Sequence, residues 1–321
     1  MARSALPRDP MIAVLMIAII FAAFMPASGS ARGIATAVSN AAIFLLFLVN
    51  GMRIARTEIS RGLRNWRFFL PLGFWVFGVM ALIGLAFSSL ASGLLPPLVA
   101  IGFLYLGTLP STVQSATSYT MLAEGNVALS VIGAALLNIA GVFLSAPLFA
   151  LLGGGQAADV GTDVIVKVGL ILILPFIIGQ AVQGWAKPFL DGHRSRVVWL
   201  DRIVIGIAVY VAFSGAVEQG IGTAISPAGW AILATLVTGF LALANFGAWA
   251  ASAAMGYPLA DRIAFLFAGS QKSVAVGAPL AALLFPTTVA GFVIAPLLLY
   301  HLFQLVLAAP LAAALARKTA S

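Results

Sequence analysis

Apolar residues dominate the chain in ten long runs, which polar or basic segments separate. The runs cover residues 11–25, 33–49, 68–87, 94–122, 127–152, 164–185, 203–217, 227–254, 264–285 and 289–315. Most are near the roughly 20 residues that an α-helix needs to cross the hydrocarbon core of a bilayer. The strand-like alternation of polar and apolar residues that is typical of a transmembrane barrel is missing. The pattern predicts an all-α polytopic membrane protein with ten transmembrane helices.

The fourth and ninth runs are each interrupted by polar residues. Residues 107–118 read GTLPSTVQSATS, and residues 268–273 read AGSQKS. A proline inside a helix frees a backbone carbonyl, which must find another partner within the bilayer. Hydroxyl and amide side chains can supply that partner or bind a solute, so we take as candidate binding residues Thr112, Gln114, Ser115, Thr117, Ser118, Ser270, Gln271, Lys272 and Ser273.

Lys272 is the only charged side chain that the pattern places deep within a span. Insertion of a lysine there costs roughly 2.5–3.5 kcal/mol, so some interaction should offset the cost. One hypothesis is that the polar groups around Gln114 and Thr117 hold Lys272, and the other is that its charge attracts an anionic substrate. His301, with Gln304 one turn later, forms a second polar spot, for which packing and proton handling are both open.

The ten predicted spans divide into two sets of five, residues 1–155 and 156–321. An odd number of spans in each half makes the two halves inverted repeats in the membrane. Secondary transporters with this layout place their binding site where the broken helices meet. The sequence therefore predicts a binding site where the fourth and ninth spans meet.

Composition and charge support the membrane assignment. The chain is 62% apolar and 8% charged, and its formal net charge is +8. Basic residues mark topology, since cytoplasmic loops carry an excess of Lys and Arg. With the N-terminus in the cytoplasm, only Arg32 and Lys167 lie outside. The basic residues then inside are Arg3, Arg8, Arg53, Arg56, Arg61, Arg64, Arg67, Lys187, Arg194, Arg196, Arg202, Arg262, Arg317 and Lys318. We expect both termini in the cytoplasm, a bacterial inner membrane, and no nucleic-acid partner.

Several alternatives remain open from the residues alone. Residues 1–31 also resemble a signal peptide, because two arginines precede an apolar run and a segment of small residues. Absent cysteines exclude thiolate sites, and the missing HExxH and GxSxG motifs disfavour an enzyme, so we expect no catalytic residue and no cofactor. A channel-like or regulatory membrane protein is not excluded, and neither is a homodimer.

Four segments resemble the bile acid:sodium symporter family. They are GNVALSV at 125–131, NGMRI at 50–54 before a basic loop, AGSQKS at 268–273, and Tyr300-His301 with Gln304. The last two are most similar to the branch that contains the vertebrate member-seven transporter and its bacterial relatives. The resemblance covers essentially the whole chain. It implies a panel domain of spans 1, 2, 6 and 7, a core domain of spans 3–5 and 8–10, and a crossover of spans 4 and 9. It also implies alternating access of the elevator or rocking type.

The resemblance also implies an organic anion as substrate and Na⁺ as coupling ion. In the better-known branch, sodium binds at positions that correspond here to Ala116, Thr117, Ser130, Phe267, Ser270 and Gln271. Of these, Thr117, Ser130, Ser270 and Gln271 still offer oxygen atoms. Phe267 stands where that branch has a sodium-binding glutamate, and Lys272 adds a positive charge five residues later. Sodium symport, a proton-coupled carrier and an uncoupled carrier in which Lys272 replaces the sodium all remain open.

Overall fold

The computed structural model describes residues 10–57, 60, 64–154 and 166–319, and every regular element in these ranges is helical. The helices of ten or more residues are α1 (Pro10–Phe24), α2 (Gly29–Arg53), α3 (Trp66–Ala91), α4 (Pro97–Thr108), α5 (Val113–Leu122), α6 (Val127–Gly153), α7 (Val166–Gly192), α8 (Arg194–Glu218), α9 (Pro227–Ala254), α10 (Leu259–Ser270), α11 (Val274–Leu284) and α12 (Thr287–Thr319). The all-α prediction is thus confirmed for the described residues.

Eight spans of the described chain are long and apolar enough to cross a membrane, and α10 with α11 counts among them as one span. Helices α4 and α5 make a ninth candidate, although the pair bends by 63° at its break. Helix α1 has 15 residues, which is short for a bilayer. The protein is therefore a multi-pass membrane protein, and the tenth span stays a prediction.

Most helix boundaries lie within a few residues of the predicted ones, and α8 is the main exception. It begins at Arg194, nine residues before the predicted start at 203. Asp201 and Arg202 consequently lie on the helix and not in a loop. Arg3, Arg8 and Arg61 of the topology prediction, and the predicted boundary between the halves at 155–156, lie outside the described residues.

Glycines allow several helices to pack backbone against backbone. A side chain at Gly51 of α2 would overlap the carbonyl of Phe176 on α7, and one at Gly179 would overlap the carbonyl of Leu48. Gly84 and Gly107 meet in the same way between α3 and α4. Small residues at such contacts are the usual way for membrane helices to associate, because lipid removes the hydrophobic drive between them. These contacts fix the helices that surround the two breaks.

Two ion pairs join α2 and α8 at opposite ends. Arg32 near the start of α2 pairs with Glu218 at the end of α8. Arg53 at the end of α2 pairs with Asp201 near the start of α8, with 2.6 Å between Nη1 and Oδ2. The two helices are therefore antiparallel neighbours, and one ion pair joins them near each end.

Candidate functional site

The first broken span opens at Leu109–Thr112, between α4 and α5. Pro110 has no N–H to continue the helix, and it forces Leu109 into an extended conformation (φ −77°, ψ 150°). Helix α5 then restarts at Val113 after Thr112, which is also extended. Asn138 of α6 donates a hydrogen bond to the carbonyl of Ser111 at 2.8 Å. The break is thus held by a neighbouring side chain, as a non-helical backbone at membrane depth requires.

The second broken span opens at Gln271–Ser273, between α10 and α11, without a proline. Gln304 of α12 replaces the lost helical hydrogen bonds of Lys272. Its Oε1 accepts from the backbone N–H of Lys272 at 2.8 Å, and its Nε2 donates to the carbonyl of Lys272 at 3.1 Å. Ser273 caps the restart, since its Oγ accepts from the N–H of Val276 at 3.3 Å. A single amide therefore satisfies both backbone groups of one residue in the break.

The two breaks contact each other directly. The backbone N–H of Ser273 donates to the carbonyl of Pro110 at 3.0 Å. The hydroxyl of Ser115 donates to Oε1 of Gln271, also at 3.0 Å. One backbone bond and one side-chain bond thus join the fourth and ninth predicted spans at their interruptions.

Lys272 is fully buried, and its ammonium binds two backbone carbonyls at the end of α4 and one in α3. Its Nζ donates to the carbonyl oxygens of Leu109 at 2.7 Å, Gly107 at 3.0 Å and Val76 at 3.4 Å. The partners are therefore carbonyls and not the side chains of Gln114 or Thr117, which one sequence hypothesis had named. The carbonyl end of a helix carries partial negative charge, so a cation is stabilised there. Three acceptors also match the three N–H bonds of an ammonium group.

A cavity of about 440 Å³ lies beside the contact between the two breaks. Residues of both breaks line it, and α1, α2, α7 and α8 form its other wall. The first turns of α5 and α11 both reach this cavity through Val113 and Val274. The positive ends of two helix dipoles therefore open on the cavity, while the carbonyl end of α4 is bound by Lys272. This arrangement favours an anion in the cavity.

The predicted site residues divide into two groups. Those that line the cavity are Thr112, Gln114, Ser115, Ser273 and His301. Gln271 and Lys272 lie behind the lining, in the contacts described above. Ser118 is exposed, and Ser130 is buried with its Oγ 3.1 Å from Oγ1 of Thr120. The Oγ atoms of Thr117 and Ser270 are buried and make no hydrogen bond with the described residues.

The open end of the cavity is lined by six charged residues. They are Arg53, Lys187, Asp191, Arg194, Asp201 and Arg202. Asp191 pairs with Lys187 at 2.7 Å and with Arg194 at 3.7 Å. The four cations outnumber the two carboxylates, so the entrance is electropositive. An electropositive entrance raises the local concentration of anions and favours their approach.

Three features of the site were not predicted from the sequence. Gln304 was noted only as a companion of His301, and Asp201 was placed in a loop. The carbonyls that bind Lys272 carry no sequence signal, because every residue has one. The scarcity of acidic residues could have identified Asp201, since the sequence has only nine Asp and Glu residues.

Comparisons with known proteins give one family and several relatives. Residues 9–317 match the model of the SBF-like CPA transporter family. Protein PA2026 of Pseudomonas aeruginosa is 34% identical, over 97% of this chain and 93% of its own. "Putative symporter YfeH" of Escherichia coli is 33% identical, over 97% and 94%. Sodium/bile acid cotransporter 7 of Danio rerio is 22% identical, over 91% and 89%.

Proposed function

Because the chain belongs to the SBF-like CPA transporter family, we propose that it is a secondary transporter that carries a small organic anion by alternating access at its two broken spans. The family resemblance that the motifs indicated is confirmed, and the chain is a membrane transporter rather than an enzyme. The observation that carries the anion assignment is the arrangement of helix ends. The positive ends of α5 and α11 open on one cavity, and Lys272 binds the carbonyl end of α4.

An inverted repeat of five spans is part of the proposal, and the helix contacts support it. Spans 1–5 correspond to α1, α2, α3, α4 with α5, and α6, and spans 6–10 correspond to α7, α8, α9, α10 with α11, and α12. If each span is exchanged with its counterpart in the other half, the contact of α1 with α8 becomes that of α7 with α2. In the same way, α3–α4 becomes α9–α10, α5–α6 becomes α11–α12, and α4–α12 becomes α10–α6. All eight contacts are present, whereas the contact of α8 with α12 has no comparable counterpart between α2 and α6. Helices α1, α2, α7 and α8 would form the panel and the others the core, with the cavity between them.

The orientation is also proposed, with both termini in the cytoplasm of a bacterial inner membrane. The basic residues Arg53, Lys187, Arg194 and Arg202 lie together at the open end of the cavity. By the positive-inside rule, that end faces the cytoplasm. The structure would then correspond to an inward-open state.

For the coupling ion, we favour Lys272 as a built-in cation in place of sodium. Phe267, which stands where the better-known branch has a sodium-binding glutamate, is fully buried, and its ring lies 5.9 Å from that of Tyr119. The ammonium of Lys272 is bound by carbonyl oxygens, which are also the ligands that suit a hard cation. Transport should then need no sodium.

One observation favours a second candidate, symport with a single sodium ion. The hydroxyls of Thr117 and Ser270 are buried without a hydrogen-bond partner among the described residues. Together with Ser130 and Gln271, they belong to the oxygen-bearing positions that the family resemblance names. A sodium ion would give such hydroxyls a partner.

Counterflow in proteoliposomes tests the proposal. Vesicles loaded with an unlabelled organic anion should accumulate the labelled form of the same anion against the gradient of the label. Replacing Na⁺ by K⁺ should leave the rate of this uptake unchanged. A sodium-dependent rate, with a saturable stabilisation of the purified protein by Na⁺, would refute Lys272 as the built-in cation and support symport with a single sodium ion. Large ion-selective currents without counterflow would contradict a carrier.

A further inference from the structure

The Arg53–Asp201 pair lies in the cavity wall opposite the broken spans, and its geometry differs from that of the other ion pair at the entrance. Arg53 comes from the end of α2 and Asp201 from the second turn of α8. The Asp201 side chain is 20% exposed, whereas that of Asp191 is 46% exposed and lies between two cations. Asp201 is therefore the more buried carboxylate of the two.

Asp201 uses only one of its two oxygen atoms. Its Oδ2 lies 2.6 Å from Nη1 of Arg53, while its Oδ1 is buried and makes no hydrogen bond with the described residues. The same Nη1 also lies 3.4 Å from Oδ1 of Asn50, on its own helix. A guanidinium group can bind a carboxylate through two parallel hydrogen bonds, so this single bond is not the strongest pairing available to Arg53.

The surroundings of Arg53 fit a compact carboxylate with an apolar body. Leu46 and Phe47 of α2 and Phe176 of α7 line the same cavity and give it an apolar wall. An incoming carboxylate could bind Arg53 with both oxygens and place its body against this wall. To do so, it must first displace Asp201.

We propose that Arg53 is an anion-binding residue for a compact, partly apolar carboxylate, and that Asp201 is an internal competitor that occupies Arg53 when no substrate is bound. Asp201 thereby weakens binding from the side to which this cavity opens and assists the release of substrate there. The inference rests on the proposed function, since it specifies a substrate class and a release step for the same cavity.

Benzoate is a suitable probe, because it combines a planar carboxylate with a compact apolar ring. Its dissociation constant should be measured by calorimetry on the purified full-length protein. We expect Asp201→Asn to bind benzoate about tenfold more tightly than the wild type or better, which corresponds to about 1.4 kcal/mol. Asp201→Ser gives the same result if the effect comes from losing the carboxylate and not from a local misfold.

Asp191→Asn is the matched control, since it removes the same charge from the same entrance. We expect it to change benzoate affinity by less than about threefold, as an exposed charge pair contributes little. Arg53→Ala in the Asp201→Asn background should abolish the gain. Equal affinity in the Asp201→Asn and Asp191→Asn proteins, including no detectable binding by either, would overturn the inference.

The failure of this inference can be told apart from the failure of the proposed function. If the wild type shows counterflow of an organic anion while Asp201→Asn behaves like Asp191→Asn, the transporter stands and the competitor is refuted. If Asp201→Asn alone gains affinity for benzoate but no anion shows counterflow, the binding site at Arg53 stands and the carrier is refuted.

Discussion

The side-chain amide of Gln304 makes two hydrogen bonds with the backbone of Lys272, one to its N–H and one to its carbonyl. This contact ties α12 to the break between α10 and α11, and it is buried within the protein. It explains how a helix can open at membrane depth without a proline, since the groups that lose their helical partners gain an amide. The contact also holds the residue whose side chain binds the end of α4.

We expect Gln304→Leu to lower the stability of the folded protein markedly. The change leaves one N–H and one carbonyl buried without partners, at a cost of roughly 1–3 kcal/mol each. Gln304→Glu is the matched variant, because it keeps the size of the side chain and an acceptor for the N–H, while it replaces the amide donor by a carboxyl group that is charged when ionised. The thermal unfolding midpoint in detergent should fall in the order wild type, Gln304→Glu, Gln304→Leu. Equal midpoints for all three would show that the break does not depend on this amide.

Close packing between α2 and α7 predicts a large difference between two glycines of the same helix. Gly179→Ala places a methyl group against the carbonyl of Leu48, and such overpacking typically costs 1–3 kcal/mol. Gly184→Ala meets nothing within 4 Å, and an exposed Gly→Ala change in a helix is neutral or slightly stabilising. Thermal unfolding of the two variants should therefore shift in different directions. A similar shift in the unfolding midpoint of both variants would show that α2 and α7 do not pack closely at Gly179.

The sequence predicted the helices and the two breaks well, because both depend on local chemistry. Pro110 lies in a polar stretch of its span, and a run of Gln271, Lys272 and Ser273 is conspicuous in an apolar one, whereas prolines in apolar surroundings, such as Pro147, lie within unbroken helices. The contact between the breaks followed from the inverted layout that the two sets of five spans suggested.

Details that depend on three-dimensional neighbours were not predictable. The sequence suggested Gln114 and Thr117 as partners of Lys272, since side chains are visible in a sequence and free carbonyls are not. Asp201 was missed because the apolar run that follows it seemed to mark the start of the helix. Residues 194–202, which read RSRVVWLDR, extend α8 by nine positions, and this places Asp201 opposite Arg53.

A third pair of variants tests the contact between the breaks. Gln271→Ala removes the acceptor for the buried hydroxyl of Ser115, at a cost of about 1–2 kcal/mol in a site that must move during transport. It should therefore slow counterflow by about tenfold, while the protein is still expressed. Ser89→Ala removes an exposed hydroxyl of α3 that bonds to the carbonyl of Leu85 on its own helix, and its rate should stay within about twofold of the wild type. If Gln271→Ala transports at the wild-type rate, the bond is not part of the transport cycle.

Lys272→Ala provides the most direct test of the built-in cation. Without the ammonium, the carbonyls of Leu109 and Gly107 lose a charged donor, and the carbonyl end of α4 is left without its counter-charge. Counterflow without sodium should then fall to background. The removed side chain leaves space beside two carbonyl oxygens, and a sodium ion can occupy that space. Two results therefore fit the proposal: an inactive protein, or one that becomes sodium-dependent. Lys272→Met fills the space without the charge, and it should be inactive with or without sodium. Unchanged sodium-independent counterflow in Lys272→Ala would show that the charge of Lys272 has no role in transport.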